Sequence, residues 1–106
     1  MFVILWEFEV KPGLEARFEE VYGPQGAWAR FFGSDPAYLG TRLLRDMQRP
    51  RTYLTLDQWT SRDAYDTFRR KQAAEYAALD AAGEVLTQQE RHLGSCEDDP
   101  ASDAAH

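Results

Sequence analysis

The opening segment constrains the fold more than any other stretch of the chain. In Phe2-Val3-Ile4-Leu5-Trp6-Glu7-Phe8-Glu9-Val10 the side chains alternate at period two, which places Phe2, Ile4, Trp6, Phe8 and Val10 on one face of an extended strand. The opposite face begins with Val3 and Leu5 and continues with Glu7 and Glu9. A strand that is apolar along one whole side has to be covered by other elements, and Pro12-Gly13 ends it so that they can follow. Leu14, Phe18 and Val21 then recur at helical spacing and predict an amphipathic helix over 13–22. Gly23-Pro24 interrupts, and Trp28, Phe31 and Phe32 mark a second short helical segment ending at Gly33.

After the turn Ser34-Asp35-Pro36, a second strand is expected from Tyr38 to Asp46, with a polar hairpin connection at Gln48-Arg49-Pro50-Arg51. Thr52 to Trp59 is rich in the β-branched and aromatic residues that suit a pleated surface, and reads as the third strand. Thr60 or Ser61 caps a helix with Asp63 in its first turn. Ala64, Tyr65, Phe68, Tyr76 and Leu79 line its inner face, and alanine-rich propensity carries it to a terminator at Gly83. Val85 to Leu93 is the fourth strand. The order β-α-β-β-α-β predicts an α+β, ferredoxin-like fold, a four-stranded antiparallel sheet with its helices on one face. The helix-free face of such a sheet should be polar in a monomer. Here Leu54 and Leu56 oppose Tyr53, Thr55 and Trp59, and Val3 and Leu5 do the same in strand one. This two-sided apolar character predicts a homodimer that closes two sheets into a dimeric α+β barrel.

With 106 residues the chain has room for one domain, expected over 1–94. Residues 95–106 hold four acids and no Lys or Arg, and their Ala, Ser, Asp and Pro content predicts a disordered acidic tail. Of the net charge of −6, that tail accounts for −4, leaving a nearly neutral body of 14 acids and 12 bases. Without a basic stripe no nucleic-acid partner is expected, and without a long apolar run no membrane span. Cys96, the only cysteine, cannot form an internal disulfide, so a reducing, cytoplasmic setting is expected.

The sequence contains no P-loop, no dinucleotide-binding glycine motif and no metalloprotease helix motif. Its histidines, His92 and His106, lack neighbouring nitrogen or sulfur ligands, and no metal site is expected. His92 reads as a strand-end polar residue rather than a base. Asp57 shares the inner-face parity of strand three; pairing with an arginine is the first expectation for it, and a general base the second. The aromatic residues either fill a core or line a pocket. Three Trp and five Tyr bring polar tips that need partners, so a pocket for a flat, weakly polar ligand is expected, with Trp6, Phe8, Trp28, Phe31, Phe68 and Tyr76 on its walls.

The strand Tyr38-Leu39-Gly40-Thr41-Arg42-Leu43-Leu44-Arg45-Asp46 and the segment Leu54-Thr55-Leu56-Asp57-Gln58-Trp59-Thr60-Ser61-Arg62-Asp63-Ala64-Tyr65 resemble the antibiotic biosynthesis monooxygenase family. The likeness spans residues 2–93. It implies a dimeric α+β barrel and a cofactor-independent oxygenase of a small aromatic quinol, phenol or anthrone-like substrate, which loses a proton before its carbanion meets oxygen. The family's strand-three Trp matches Trp59, and its helix Tyr matches Tyr65. Its strand-three Asn falls on Thr55, and the chain contains no asparagine at all. The resemblance thus implies Trp59, Tyr65 and Thr55 as catalytic residues, with one hydroxyl where an amide offers two donors and an acceptor. The haem-degrading branch fits less well: its pocket Asn falls on Trp6 and its axial His near Ala78, so no haem ligand is implied. The alternative function is a non-catalytic dimeric barrel that binds a small aromatic or lipid-like metabolite.

Overall fold

A computed structural model describes residues 1–103. The elements run β1 (Phe2–Val10), α1 (Glu15–Tyr22), α2 (Ala27–Phe32), β2 (Tyr38–Arg45), β3 (Thr52–Trp59), α3 (Arg62–Lys71), α4 (Ala73–Glu84), β4 (Thr87–Glu97) and a short α5 (Pro100–Asp103). The strands form one antiparallel sheet in the order β2-β3-β1-β4, the arrangement that the βαββαβ reading predicts.

The alternation in β1 does what the pattern demands. Phe2, Ile4, Phe8 and Val10 are buried, and the register sets Phe2, Ile4, Trp6 and Phe8 beside Trp59, Asp57, Thr55 and Tyr53 of β3. Helix side chains cover this face. Phe18 of α1 packs at 5.3 Å from Phe8 and 4.9 Å from Tyr53, while Phe32 of α2 and Phe68 of α3 meet Trp59 at 5.4 and 5.3 Å between ring centroids. Ser61 starts α3 by accepting from the Ala64 amide at 3.1 Å. Ser61→Ala is expected to cost about 1 kcal/mol of stability, read as a lower urea midpoint at unchanged m-value.

Three local expectations are corrected. The single helix predicted up to Gly83 divides at Gln72 into α3 and α4. Gly83 does not terminate α4 but lies inside it, where a Cβ would overlap the Tyr22 hydroxyl; its missing side chain lets α4 close onto α1. The fourth strand runs Thr87–Glu97 rather than Val85–Leu93. Ser95, Cys96 and Glu97, read from the sequence as tail, therefore pair with β1, and Asp98 binds the Met1 ammonium at 3.1 Å. In the rest of the expected disordered tail Asp99 accepts from the Ala101 amide at 2.8 Å, Pro100–Asp103 form α5, and residues 104–106 lie outside the described residues. Among the described residues no helix is long and apolar enough to cross a membrane.

Candidate active site

Between the covered sheet face and the helices lies a cavity whose walls include Trp6, Thr55 and Asp57 from the sheet and Trp28, Tyr65 and Tyr76 from the helices. The unfilled space amounts to about 510 Å³ with its open mouth, but only about 40 Å³ admits the centre of a water molecule. Most of that space is therefore too narrow for a free water molecule, a slot between side chains rather than a chamber. Flat rings fit such a slot between aromatic walls; bulky, puckered groups do not.

Two one-residue bulges decide which polar groups enter it. Between β2 and β3, Tyr38 pairs with Trp59 but Gly40 pairs with Gln58, so an extra residue lies at Leu39. Gly40 takes φ +143°, a conformation that suits glycine. Without that extra residue Thr41 would stand opposite Leu56 on the bare face. With it, Thr41 stands opposite Asp57 and donates to its Oδ1 at 2.6 Å, and the Tyr38 hydroxyl lies 2.5 Å from the same Thr41 oxygen. Between β1 and β4 the register shifts after Leu5, from Gly94 opposite Leu5 to His92 opposite Trp6. This shift places Glu90 opposite Phe8, on the cavity side, and sends Arg91 to the other face, where it meets Glu7 at 3.1 Å.

Asp57 is the most unusual group in the cavity. Among the described residues it forms no ion pair, which corrects the expectation of an arginine partner. Burial pushes its carboxyl up to about 6, only partly offset by the hydrogen bond from Thr41. The residue keeps some exposed surface, and that surface faces the cavity. A carboxylate of that basicity in a partly dry slot can take a proton from a weak carbon or phenol acid near neutral pH. Burial also raises the phenol pKa values of Tyr65 and Tyr76, so both stay neutral hydroxyls. Arg69 lies outside the wall with its guanidinium 3.9 Å from the Tyr76 ring centre, which fixes that ring.

Of the residues singled out from the sequence, Trp6, Phe8, Trp28, Thr55, Tyr65 and Tyr76 line the cavity. Trp59, Phe31 and Phe68 are not on its wall. Trp59 is on the predicted face but fully buried at the strand end, beneath Tyr65 at 5.4 Å and beside Phe32 and Phe68. Among the described residues its Nε1 has no hydrogen-bond partner. Phe31 and Phe68 pack edge-on against each other at 5.0 Å, behind the wall. Parity gives a residue's face but not its depth. Tyr22, Asp80 and Glu90 also line the cavity and were not anticipated. Asp80 follows Tyr76 by four residues, one helical turn, a spacing that could have revealed it; Glu90 was hidden by the bulge. His92 is exposed, 3.2 Å from the Ser95 hydroxyl, with its ring on Trp6.

Residues 1–79 match the family described as antibiotic biosynthesis monooxygenase. No curated protein matches the chain. Among solved structures, SnoaB from Streptomyces nogalater, a cofactor-independent oxygenase, is similar at 23% identity over 92% of this chain and 92% of that one, with a TM-score of 0.74. A variant of SnoaB with one asparagine changed to alanine gives 24%, 92%, 91% and 0.75 for the same quantities. Another structure, described as an antibiotic biosynthesis monooxygenase, shares 16% identity over 94% of this chain and all of its own, with a TM-score of 0.70. At these identities the likeness speaks for the fold.

Proposed function

Since the chain belongs to the antibiotic biosynthesis monooxygenase family, we propose that it is a cofactor-independent monooxygenase of a small aromatic quinol, phenol or anthrone-like compound, acting as a homodimer. The observation that carries this reading is a largely buried carboxylate, Asp57, which lines an aromatic slot and among the described residues is in no ion pair. In the proposed reaction Asp57 removes a proton from the ring-activated carbon or its hydroxyl. The Thr55 hydroxyl, next to Asp57 on the same face, donates to the oxygen on which negative charge develops. Tyr65 orients the ring, and Trp59 acts as a positioning residue that supports Tyr65 from beneath.

The carbanion then adds molecular oxygen. For a methylene flanked by two rings the balance is one O₂ consumed, one oxygen atom kept in the new ketone, and the other released in water with the two hydrogens. No electron donor is needed, because the substrate supplies all four electrons.

The test is oxygen uptake by the purified protein over a panel of quinols, naphthols and anthrones without added cofactor. Turnover of at least one ring system is expected. Thr55→Val should lower kcat about tenfold, the value of one hydrogen bond made to the developing oxyanion. Saturable binding across the panel with no oxygen consumed would make the protein a carrier instead and sink the enzymatic reading.

A further inference from the structure

The two carboxylate oxygens of Asp57 have different surroundings. Oδ1 accepts from the Thr41 hydroxyl at 2.6 Å, whereas Oδ2 accepts from none of the described residues and is not sealed in the interior. Oδ2 is thus the oxygen left open on a residue that lines the cavity. The bond to Oδ1 has a second member behind it. A hydroxyl has one proton to give, and an ionised carboxylate can only accept. Thr41 gives its proton to Asp57, so in its 2.5 Å contact with Tyr38 the phenol must be the donor. Tyr38, Thr41 and Asp57 form a chain that points one way, and each bond polarises the next.

A regular strand would not build this chain. Residues three apart on a strand face opposite sides, which would split Tyr38 from Thr41. The extra residue at Leu39, with Gly40 at φ +143°, puts both on the helix-covered face. Rings fix the outer end: Tyr38 stands 5.5 Å from Trp59 and 5.6 Å from Phe32 between centroids. Burial raises the Tyr38 phenol above its ordinary value, only partly offset by the bond to Thr41, so it keeps its proton and stays a donor. Thr41 is buried, and neither it nor Tyr38 is on the cavity wall. The titratable groups that share the cavity with Asp57 are Tyr22, Tyr65, Tyr76, Asp80 and Glu90, with Arg69 behind Tyr76. From β1 the apolar Ile4 stands opposite Asp57, and α2 contributes only Trp28 and Phe32 to the wall.

We propose that Tyr38 is a positioning residue for the base: by donating to Thr41 it turns the threonine's one proton onto Asp57 Oδ1, which favours the ionised carboxylate and leaves Oδ2 as the oxygen that takes the substrate's proton. The inference rests on the oxygenase reading for the reaction it serves. In that reaction the O–H bond forms at Oδ2 as the substrate's C–H or O–H bond breaks, and the electron pair stays on the substrate. Oδ2 returns the same proton to the peroxide formed when oxygen adds, so the base is reset for the next turnover. A proton on Oδ1 would instead force Thr41 to turn round and accept, breaking its bond with Tyr38. Thr41 acts on the base directly, and Tyr38 acts only through Thr41.

Carbon-13 NMR titration of the Asp57 carboxyl in the full chain, without substrate, tests this. Losing a donor disfavours the charged form, so the carboxyl should titrate higher. Tyr38→Phe keeps the ring against Trp59 and Phe32 and is expected to raise the midpoint by about half a pH unit; Thr41→Val should raise it by about one unit. Thr41→Ser, which keeps the hydroxyl, should titrate with the parent. Adding Tyr38→Phe to Thr41→Val should move the midpoint no further, because the phenol then has nothing to act through. The kcat inflection should move with the carboxyl, lowering kcat about twofold at pH 6 in Tyr38→Phe, with KM unchanged. A merely structural tyrosine would alter the melting temperature and leave the midpoint where it is. An unmoved midpoint in Tyr38→Phe, a serine variant that titrates like the valine one, or additive shifts in the double variant would each overturn the proposal. Oxygen uptake is read separately. Shifts as stated without uptake of oxygen leave the chain acting on Asp57 while the oxygenase reading falls; turnover with an unmoved midpoint does the reverse.

Discussion

Asp57→Asn is expected to melt at a higher temperature than the parent at pH 8 and to turn over its best substrate at least about a hundredfold more slowly. Both effects come from one carboxyl. In the unfolded chain an aspartate titrates near its ordinary value of about 3.9, whereas in the folded protein burial lifts Asp57 to about 6. Below the lower value both states are protonated and the site costs nothing. Between the two the unfolded state releases its proton first, so stability falls as pH rises, and above about 6 the full penalty is present. Two pKa units correspond to about 3 kcal/mol at most, and the surface left open to the cavity reduces that to about 1–2 kcal/mol, or roughly 5 °C or more. Asparagine keeps an oxygen for the Thr41 hydroxyl while removing the charge. The parent's kcat should rise with pH through about 6 and then level off, because the base must be ionised to act. A variant with unchanged turnover, or one less stable at pH 8, would remove Asp57 from the chemistry.

That coupling of lowered stability to a group aimed at an open slot is what distinguishes the site from core. The residues around Phe18 stack on one another, with Phe18 and Tyr22 at 4.4 Å between ring centroids. Asp57, Asp80 and Glu90 by contrast line the cavity, and among the described residues none of them is in an ion pair.

The sheet was legible because period-two alternation is a strong signal: β1 begins at Phe2 and β3 runs from Thr52 to Trp59, as the pattern predicts. Much of β4 was not. Thr-Gln-Gln-Glu-Arg-His-Leu-Gly-Ser-Cys-Glu is an edge strand exposed along most of its length, so no buried face writes a pattern into it. The division at Gln72 was equally silent, since Arg69-Arg70-Lys71-Gln72 contains no helix breaker. For the site, parity chose the face of Thr55, Asp57 and Trp59 correctly. It could not foresee the bulges, and each bulge exchanges one side chain for its neighbour. One gave Asp57 a threonine partner in place of the expected arginine, and the other put Glu90 instead of Arg91 at the mouth.

The helix-free face supplies the other large expected effect: Leu54→Asp with Leu56→Asp should convert the proposed homodimer into a monomer. Leu5 pairs with Leu56, and Leu54 pairs with Leu44, so an apolar ridge crosses three strands on the side where no helix packs. Beside it Glu7 is bound by Arg49 at 2.7 Å and Arg91 at 3.1 Å, and the Arg49 hydrogen bond holds its carboxyl below the usual range. An interface that repeats the same patch on both copies must be self-complementary. An apolar centre with both signs of charge at its margin satisfies that requirement, whereas a single-sign rim would repel its twin. Two aspartates on the ridge would bring four like charges together at the two-fold axis, each losing water without a partner. The expected result is a dimer mass for the parent and a monomer mass for the variant by light scattering, with the dissociation constant raised at least about a thousandfold. The cavity lies on the opposite side of the sheet, so the variant should still bind naphthols, and near-UV circular dichroism should show its aromatic core intact. A parent that is monomeric at micromolar concentration would end the barrel reading, whereas a variant that stays dimeric would move the interface to another surface.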